Sequence, residues 1–294
     1  MVAITSPIFI VGNPRSGTTL LRLMLTSHHQ IVIPPESGFA IWYYDKYKNW
    51  KELIKQNDYV LTNFTKDLFK AKKFENWRLD SNEVYNYLKH IKPETYTMLI
   101  AHIYIFYAQK IKPHIIYWGD KNNFYLNHIL TLKKIFPDAF FIHIIRDGRN
   151  VACSYKKIMK KKFKSKYAPQ LPSDITDIAL EWKKNINTIR NSFIKINYNN
   201  VLEIKFEDLI NEPEHQLTRI CQLIGINFDE NMLQYHKIDE SHGLEPKEFL
   251  EWKAKNQKPL LKGEISRFKN ELSNIEAEKF RDIAKDELEA YDYI

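Results

Sequence analysis

Residues 8–25, IFIVGNPRSGTTLLRLML, constrain the fold more than any other stretch of this chain. Ile8, Phe9, Ile10 and Val11 form a short apolar, partly β-branched run, the pattern of a buried strand. Gly12, Asn13, Pro14, Arg15, Ser16 and Gly17 interrupt it with turn residues. From Thr18 and Thr19 onward, Leu20, Leu21, Met24 and Leu25 recur at helical spacing. A strand, a glycine loop and a helix in succession aim unpaired backbone N–H groups and a helix N-terminus at one point, which attracts an anion.

The interval from Gly12 to Gly17 matches the first half of a nucleotide P-loop, but the residue after Gly17 is Thr18 rather than lysine. The cation is Arg15, inside the loop, with hydroxyls on Ser16, Thr18 and Thr19. That set suits a compact anion better than a metal-bound triphosphate. The string GNPRSGTTLL resembles the 5′-phosphosulfate loop of sulfotransferases that use 3′-phosphoadenosine 5′-phosphosulfate (PAPS), in particular the branch holding tyrosylprotein sulfotransferases and many bacterial enzymes.

The rest of the chain alternates strand-like and helix-like stretches. It predicts a mainly parallel sheet covered on both faces, a P-loop-like three-layer αβα fold with a helical insertion. Residues 1–294 read as a single domain, with 39–110 as the insertion and an expected lid over the acceptor site. That insertion carries a dense run of Phe39, Trp42, Tyr43, Tyr44, Tyr47 and Trp50.

Candidate site residues fall at the predicted strand ends. Glu36 follows a short strand at 31–33; the residues alone leave it either facing the anion loop or interacting with backbone dipoles at a helix start. Lys121 follows a strand at 115–118, either reaching an anion or solvated in a loop. Arg146 ends the β-prone run AFFIHII, and Ser154, eight residues on, sits early in a helix predicted from Val151. A guanidinium and a hydroxyl so placed can grip one phosphate. The paired histidines His28 and His29 are expected to lie exposed at a helix end.

The resemblance extends to these positions. It implies Glu36 as general base, 21 residues after Arg15, and Lys121 as a contact to the sulfuryl group, although Asn122 and Asn123 replace the family's Asp-Pro. RDGRNVACS resembles the segment that binds the 3′-phosphate, which implies that role for Arg146 and Ser154. Phe206 stands where the family has a nucleotide-binding tyrosine. Lys262 matches a basic loop that closes over the 3′-phosphate, with Arg267 and Lys269 as alternatives.

The resemblance thus implies a catalytic set of Glu36, Arg15 and Lys121. The implied donor-binding set is Arg15, Ser16, Gly17, Thr18, Thr19, Arg146, Ser154, Phe206 and Lys262. PAPS is the expected donor, the 3′,5′-bisphosphate PAP the product, and no metal is expected.

The chain carries 44 Lys and Arg against 36 Asp and Glu, a net charge of +8. A basic balance fits an anionic ligand, nucleic acid or an acidic membrane surface. The run KKIMKKKFKSK at 156–166, with seven lysines, reads as a solvated face or as a receiver of acidic partners. No nucleic-acid motif accompanies it, so no nucleic-acid partner is expected. Two cysteines, Cys153 and Cys221, form neither a disulfide framework nor a metal quartet. With no visible targeting segment and no apolar run near the ~18 residues of a membrane helix, a cytoplasmic protein is expected.

The reading is therefore a sulfotransferase acting on a hydroxyl or amine of a small metabolite or natural product, free to oligomerise. A tyrosylprotein or glycan acceptor is the alternative. A P-loop kinase and a non-catalytic polyanion-binding protein are the rivals from other classes.

Overall fold

The computed structural model describes residues 6–57, 59–197, 199–237, 246, 249–253, 258–259 and 265–294. Five strands form one parallel sheet in the order β2-β3-β1-β4-β5: β1 Ile8–Val11, β2 Ile31–Val32, β3 Tyr117–Lys121, β4 Phe140–Ile145 and β5 Val201–Lys205. β1 pairs with β3 on one side and β4 on the other. It therefore lies where the strand order reverses, and ligands of open α/β sheets gather at the carboxyl ends of strands at that point.

Alternation along the strands divides the interior into two layers. Phe9, Val11, Val32, Trp118 and Phe141 point into one apolar cluster; Ile8, Ile10, Ile31, Ile142, Ile144 and Ile204 point into the other. With both faces buried, near-continuous apolar runs are what such strands require. The αβα fold expected from the sequence is the one observed.

Several details differ. β3 extends through Gly119, Asp120 and Lys121, three residues that read as a turn. Parallel pairing of Ile8 with Gly119 and Ile10 with Lys121 carries the strand onward. Gly119 is there because a Cβ would lie 2.4 Å from the Ile8 carbonyl oxygen, not because the chain turns. The helix after β4 starts at Gly148 rather than Val151, since Asp147 caps it by accepting from the Arg149 N–H at 2.9 Å.

His28 is buried rather than exposed, because the segment Glu230–Lys237 and the residues before it cover that end of the helix Thr18–Ser27 (α1). Its Nε2 bonds the Asn227 carbonyl at 2.9 Å and its Nδ1 accepts the Gln30 N–H at 3.1 Å. His29 is exposed and pairs with Asp229 at 2.7 Å. The last predicted helix is two, Asn274–Ile283 and Lys285–Ala290, the first opened by the Ser273–Glu276 capping box.

Residues 39–110 are helical, including Val60–Lys70, Ser81–Ile91 and Tyr96–Ile111. Their aromatics are mostly core: Phe39 stacks on Tyr104 at 5.3 Å, and Trp50 meets Phe64 at 5.7 Å. In the run at 156–166, Lys157, Lys160, Lys161, Lys162 and Lys164 are exposed, while Lys156 pairs with Glu276 and Lys166 with Glu75. Both cysteines are buried thiols. Among the described residues, no helix is long and apolar enough to cross a membrane.

Candidate active site

Each strand delivers one candidate residue to the carboxyl edge of the sheet. Arg15 follows β1, Glu36 follows β2, Lys121 ends β3, Arg146 follows β4 and Phe206 follows β5. A cavity of about 300 Å³ opens there. Its lining includes Arg15, Gly17, Thr18, Thr19, Glu36, Arg146, Ser154 and Phe206. Among the described residues, five cationic side chains, Arg15, Lys73, Arg146, Lys253 and Arg267, line it against one carboxylate, Glu36.

The loop after β1 is built to present donors. Gly17 has a φ of 96°, and a Cβ there would lie 2.4 Å from the Phe206 ring. Only glycine meets both demands. Arg15 itself is left-handed, with a φ of 70°, a conformation that costs energy for a non-glycine residue and persists where its surroundings enforce it. α1 begins with no side-chain cap and no acid in its first turn. The Ser16 hydroxyl is buried with no hydrogen-bond partner among the described residues. An orphaned hydroxyl beside an uncapped helix start fits an oxyanion.

Arg15 donates from Nε to Ser154 Oγ at 3.1 Å and from Nη2 to the Trp252 carbonyl at 3.2 Å. Arg146 donates to the Arg15 carbonyl at 3.3 Å and stacks its guanidinium 4.2 Å from the centre of the Phe206 ring. Phe206 cannot offer a hydroxyl; it packs against Gly17 and carries Arg146. Burial, and secondarily the nearby Arg146 charge, push Arg15 down to about 10. Two guanidinium groups sharing a largely desolvated cavity are a source of repulsion that a bound anion relieves.

Glu36 lines the same cavity. Trp77 Nε1 donates to the Pro35 carbonyl at 2.9 Å and Ser37 Oγ to the Lys72 carbonyl at 3.2 Å, fixing the residues on either side. Its Oε1 accepts from Lys121, with Lys253 Nζ at 3.8 Å, and its Oε2 accepts from Lys73 at 2.8 Å. Burial alone would raise its carboxyl, but Lys121, Lys253 and Lys73 outweigh it and hold the group well below the usual carboxylate range. Lys121 is almost wholly buried beneath Glu36 and does not itself line the cavity; nor does Ser16.

Lys262 lies outside the described residues. Of its alternatives, Arg267 lines the cavity and pairs with Glu271 at 2.9 Å, whereas Lys269 is exposed. From residues 39–110, Lys73 lines the cavity; its other walls come from Tyr167 to Leu171 and from Phe249, Trp252, Lys253 and Pro259. Neither wall carries a motif, so sequence spacing gave no signal for Lys73, Tyr167, Trp252 or Lys253. The described residues hold one cluster of three metal-ligating side chains, His28, His29 and Asp229. It lies at the far end of α1, and both ring nitrogens of His28 are engaged there.

Residues 7–230 match the model of the sulfotransferase family. The chain belongs to the sulfotransferase family. Among its relatives, protein-tyrosine sulfotransferase A of Caenorhabditis elegans is 24% identical over 238 residues, 80% of this chain and 54% of the relative. Protein-tyrosine sulfotransferase 2 of Gallus gallus is 24% identical over 234 residues, 79% of this chain and 54% of the relative. The omega-hydroxy-beta-dihydromenaquinone-9 sulfotransferase Stf3 of Mycobacterium tuberculosis is 27% identical over 253 residues, 75% of this chain and 63% of the relative. This sulfotransferase chain spans about half the length of the tyrosine sulfotransferases it matches.

Among solved structures, the sulfotransferase domain of the Synechococcus PCC 7002 olefin synthase shares its fold, with a TM-score of 0.60 and 22% identity, over 96% of this chain and 94% of that one. The sulfotransferase domain from the curacin biosynthetic pathway gives a TM-score of 0.60 and 21% identity, over 96% of each chain.

Proposed function

We propose that this chain transfers a sulfuryl group from PAPS to a hydroxyl or amine of a small acceptor. The observation that carries the reading is the meeting of Arg15 and Arg146, from β1 and β4, in one cavity beside an uncapped helix start. PAPS supplies an activated sulfuryl group when bound. The loop N–H groups, Ser16, Thr18 and Thr19 would hold its 5′ end, and Arg146 with Ser154 its 3′-phosphate. Arg15 touches Ser154 and reaches between the two. Phe206 holds Arg146 in place by stacking rather than by touching the nucleotide through a hydroxyl.

Glu36 would take the proton of the acceptor. Positioning and fixed positive charge are the main needs of such a transfer. Held ionised by its lysines, Glu36 is ready as a proton acceptor at neutral pH. Lys121 keeps its Oε1 occupied and Lys73 holds Oε2, so an acceptor would reach Oε2 by displacing Lys73. The Stf3 relative, by its name, acts on a hydroxylated menaquinone, which supports a small acceptor. The names of the tyrosine sulfotransferase relatives support a tyrosyl hydroxyl as the alternative.

The test is an acceptor panel with PAPS supplied, read by mass spectrometry for the gain of one sulfuryl group, with ATP offered in parallel. Glu36→Gln should lower kcat by roughly 10²–10⁴-fold without weakening PAP binding. Because its lysines hold Glu36 below the usual carboxylate range, its protonation should remove activity only below that range, with no acid limb between there and neutrality. Full turnover by Glu36→Gln would remove Glu36 from the reaction.

A further inference from the structure

The acceptor edge of Glu36 is already taken. Lys73 Nζ sits 2.8 Å from Oε2, where an acceptor hydroxyl would have to approach, and Lys121 occupies Oε1. Lys73 lies between the helix Val60–Lys70 and the turn Phe74–Trp77, in a left-handed conformation with a φ of 68°. That backbone delivers one lysine from residues 39–110 into the cavity.

Around it stands an aromatic wall. Tyr167 and Phe249 have ring centres 6.0 Å apart, and Phe249 and Trp252 5.4 Å apart. Lys73 Nζ lies 5.5 Å from the Phe249 centre and Lys253 Nζ 5.0 Å. Outside the lining, Lys72 and Lys166 sit over the Tyr167 ring at 5.6 Å and 4.8 Å, and Glu75 pairs with Lys166 and accepts the Tyr167 hydroxyl. Flat apolar faces bordered by ammonium groups suit a planar acceptor that carries its own negative charge.

We infer that Lys73 masks Glu36 and that the acceptor unmasks it: the substrate is a small phenol bearing an anionic group, which takes the Lys73 ammonium and frees Oε2 for the phenolic proton. A neutral phenol would have to break the half-buried ion pair and leave Lys73 with no partner, a cost the anionic phenol avoids. Lys73 thereby becomes a specificity-determining residue: it selects for charge beside the hydroxyl and keeps the base covered in the absence of such an acceptor. The inference rests on the donor reading above, since it assigns the acceptor half of the same cavity.

The test compares two isosteric probes, 3-hydroxybenzoate and 3-hydroxybenzamide, by calorimetry on the PAP-loaded protein and by turnover with PAPS. The wild type should bind the acid roughly tenfold or more tightly than the amide. Lys73→Met should bring the two within about twofold, by weakening the acid and relieving the amide, and Lys73→Arg should keep the preference. Equal affinity for the two probes in a PAP-binding wild type, including no affinity for either, would overturn the inference. So would an unchanged preference in Lys73→Met. The wild-type comparison needs no variant, so it decides the matter even where Lys73→Met fails to fold. No uptake of PAP would overturn the donor reading itself, and the inference with it.

Discussion

Asp120 is a buried carboxyl next to Lys121 that does not line the cavity. It precedes Lys121 on β3, is wholly buried, and accepts hydroxyl bonds from Tyr104 and, at 2.6 Å, from Tyr125. Its other oxygen has no partner among the described residues. Burial raises its carboxyl to about 7, despite both tyrosines and Lys121. A group that binds its proton more tightly folded than unfolded stabilises the fold below its unfolded value near 4. That contribution is lost as pH rises toward 7. Asp120→Asn does not titrate. Thermal melts should therefore show the wild type losing stability relative to Asp120→Asn between about pH 4 and 7, on the order of 2–4 kcal/mol. Parallel profiles would mean that the buried carboxyl stays ionised in the fold.

The loop between β1 and α1 is the element that sets Arg15 and, through Phe206, Arg146. Gly17→Ala would force a Cβ into a left-handed residue and against the Phe206 ring, and Phe206 carries Arg146. One methyl group should thus disturb both cationic arms, costing about 1–2 kcal/mol of stability and at least tenfold in PAP affinity, read by melts and calorimetry. Wild-type affinity in Gly17→Ala would show that the loop tolerates another backbone path. This element was legible in the sequence because strand, loop and helix are contiguous and each has a local signature. So were Arg146 and Ser154, within nine residues of each other. Lys73, Tyr167 and Lys253 were not legible, since their place in the cavity comes from long-range packing with no local pattern. The extent of β3 was misread for a related reason: Gly119 looks like a turn, and only its neighbour Ile8 explains it.

At the scale of the whole molecule, the sheet separates two tasks. β1, β4 and β5 bring Arg15, Arg146 and Phe206 to one side of the cavity. β2 brings Glu36 to the same lining, and β3 sets Lys121 behind it, against Oε1 and outside the cavity lining. Arg15 and Arg146 line the cavity with Phe206, and the Glu36 carboxylate is held by Lys73, Lys121 and Lys253. The order of strands, with β1 in the middle, makes the two halves meet. The central claim is that the Arg15 and Arg146 side holds a nucleotide with phosphates at both ends. Calorimetry with PAP tests it most directly. The wild type should bind with a Kd of about micromolar order, and Arg15→Ala and Arg146→Ala should each weaken binding by roughly 10- to 100-fold. No heat of binding in the wild type, or wild-type affinity in both variants, would contradict it.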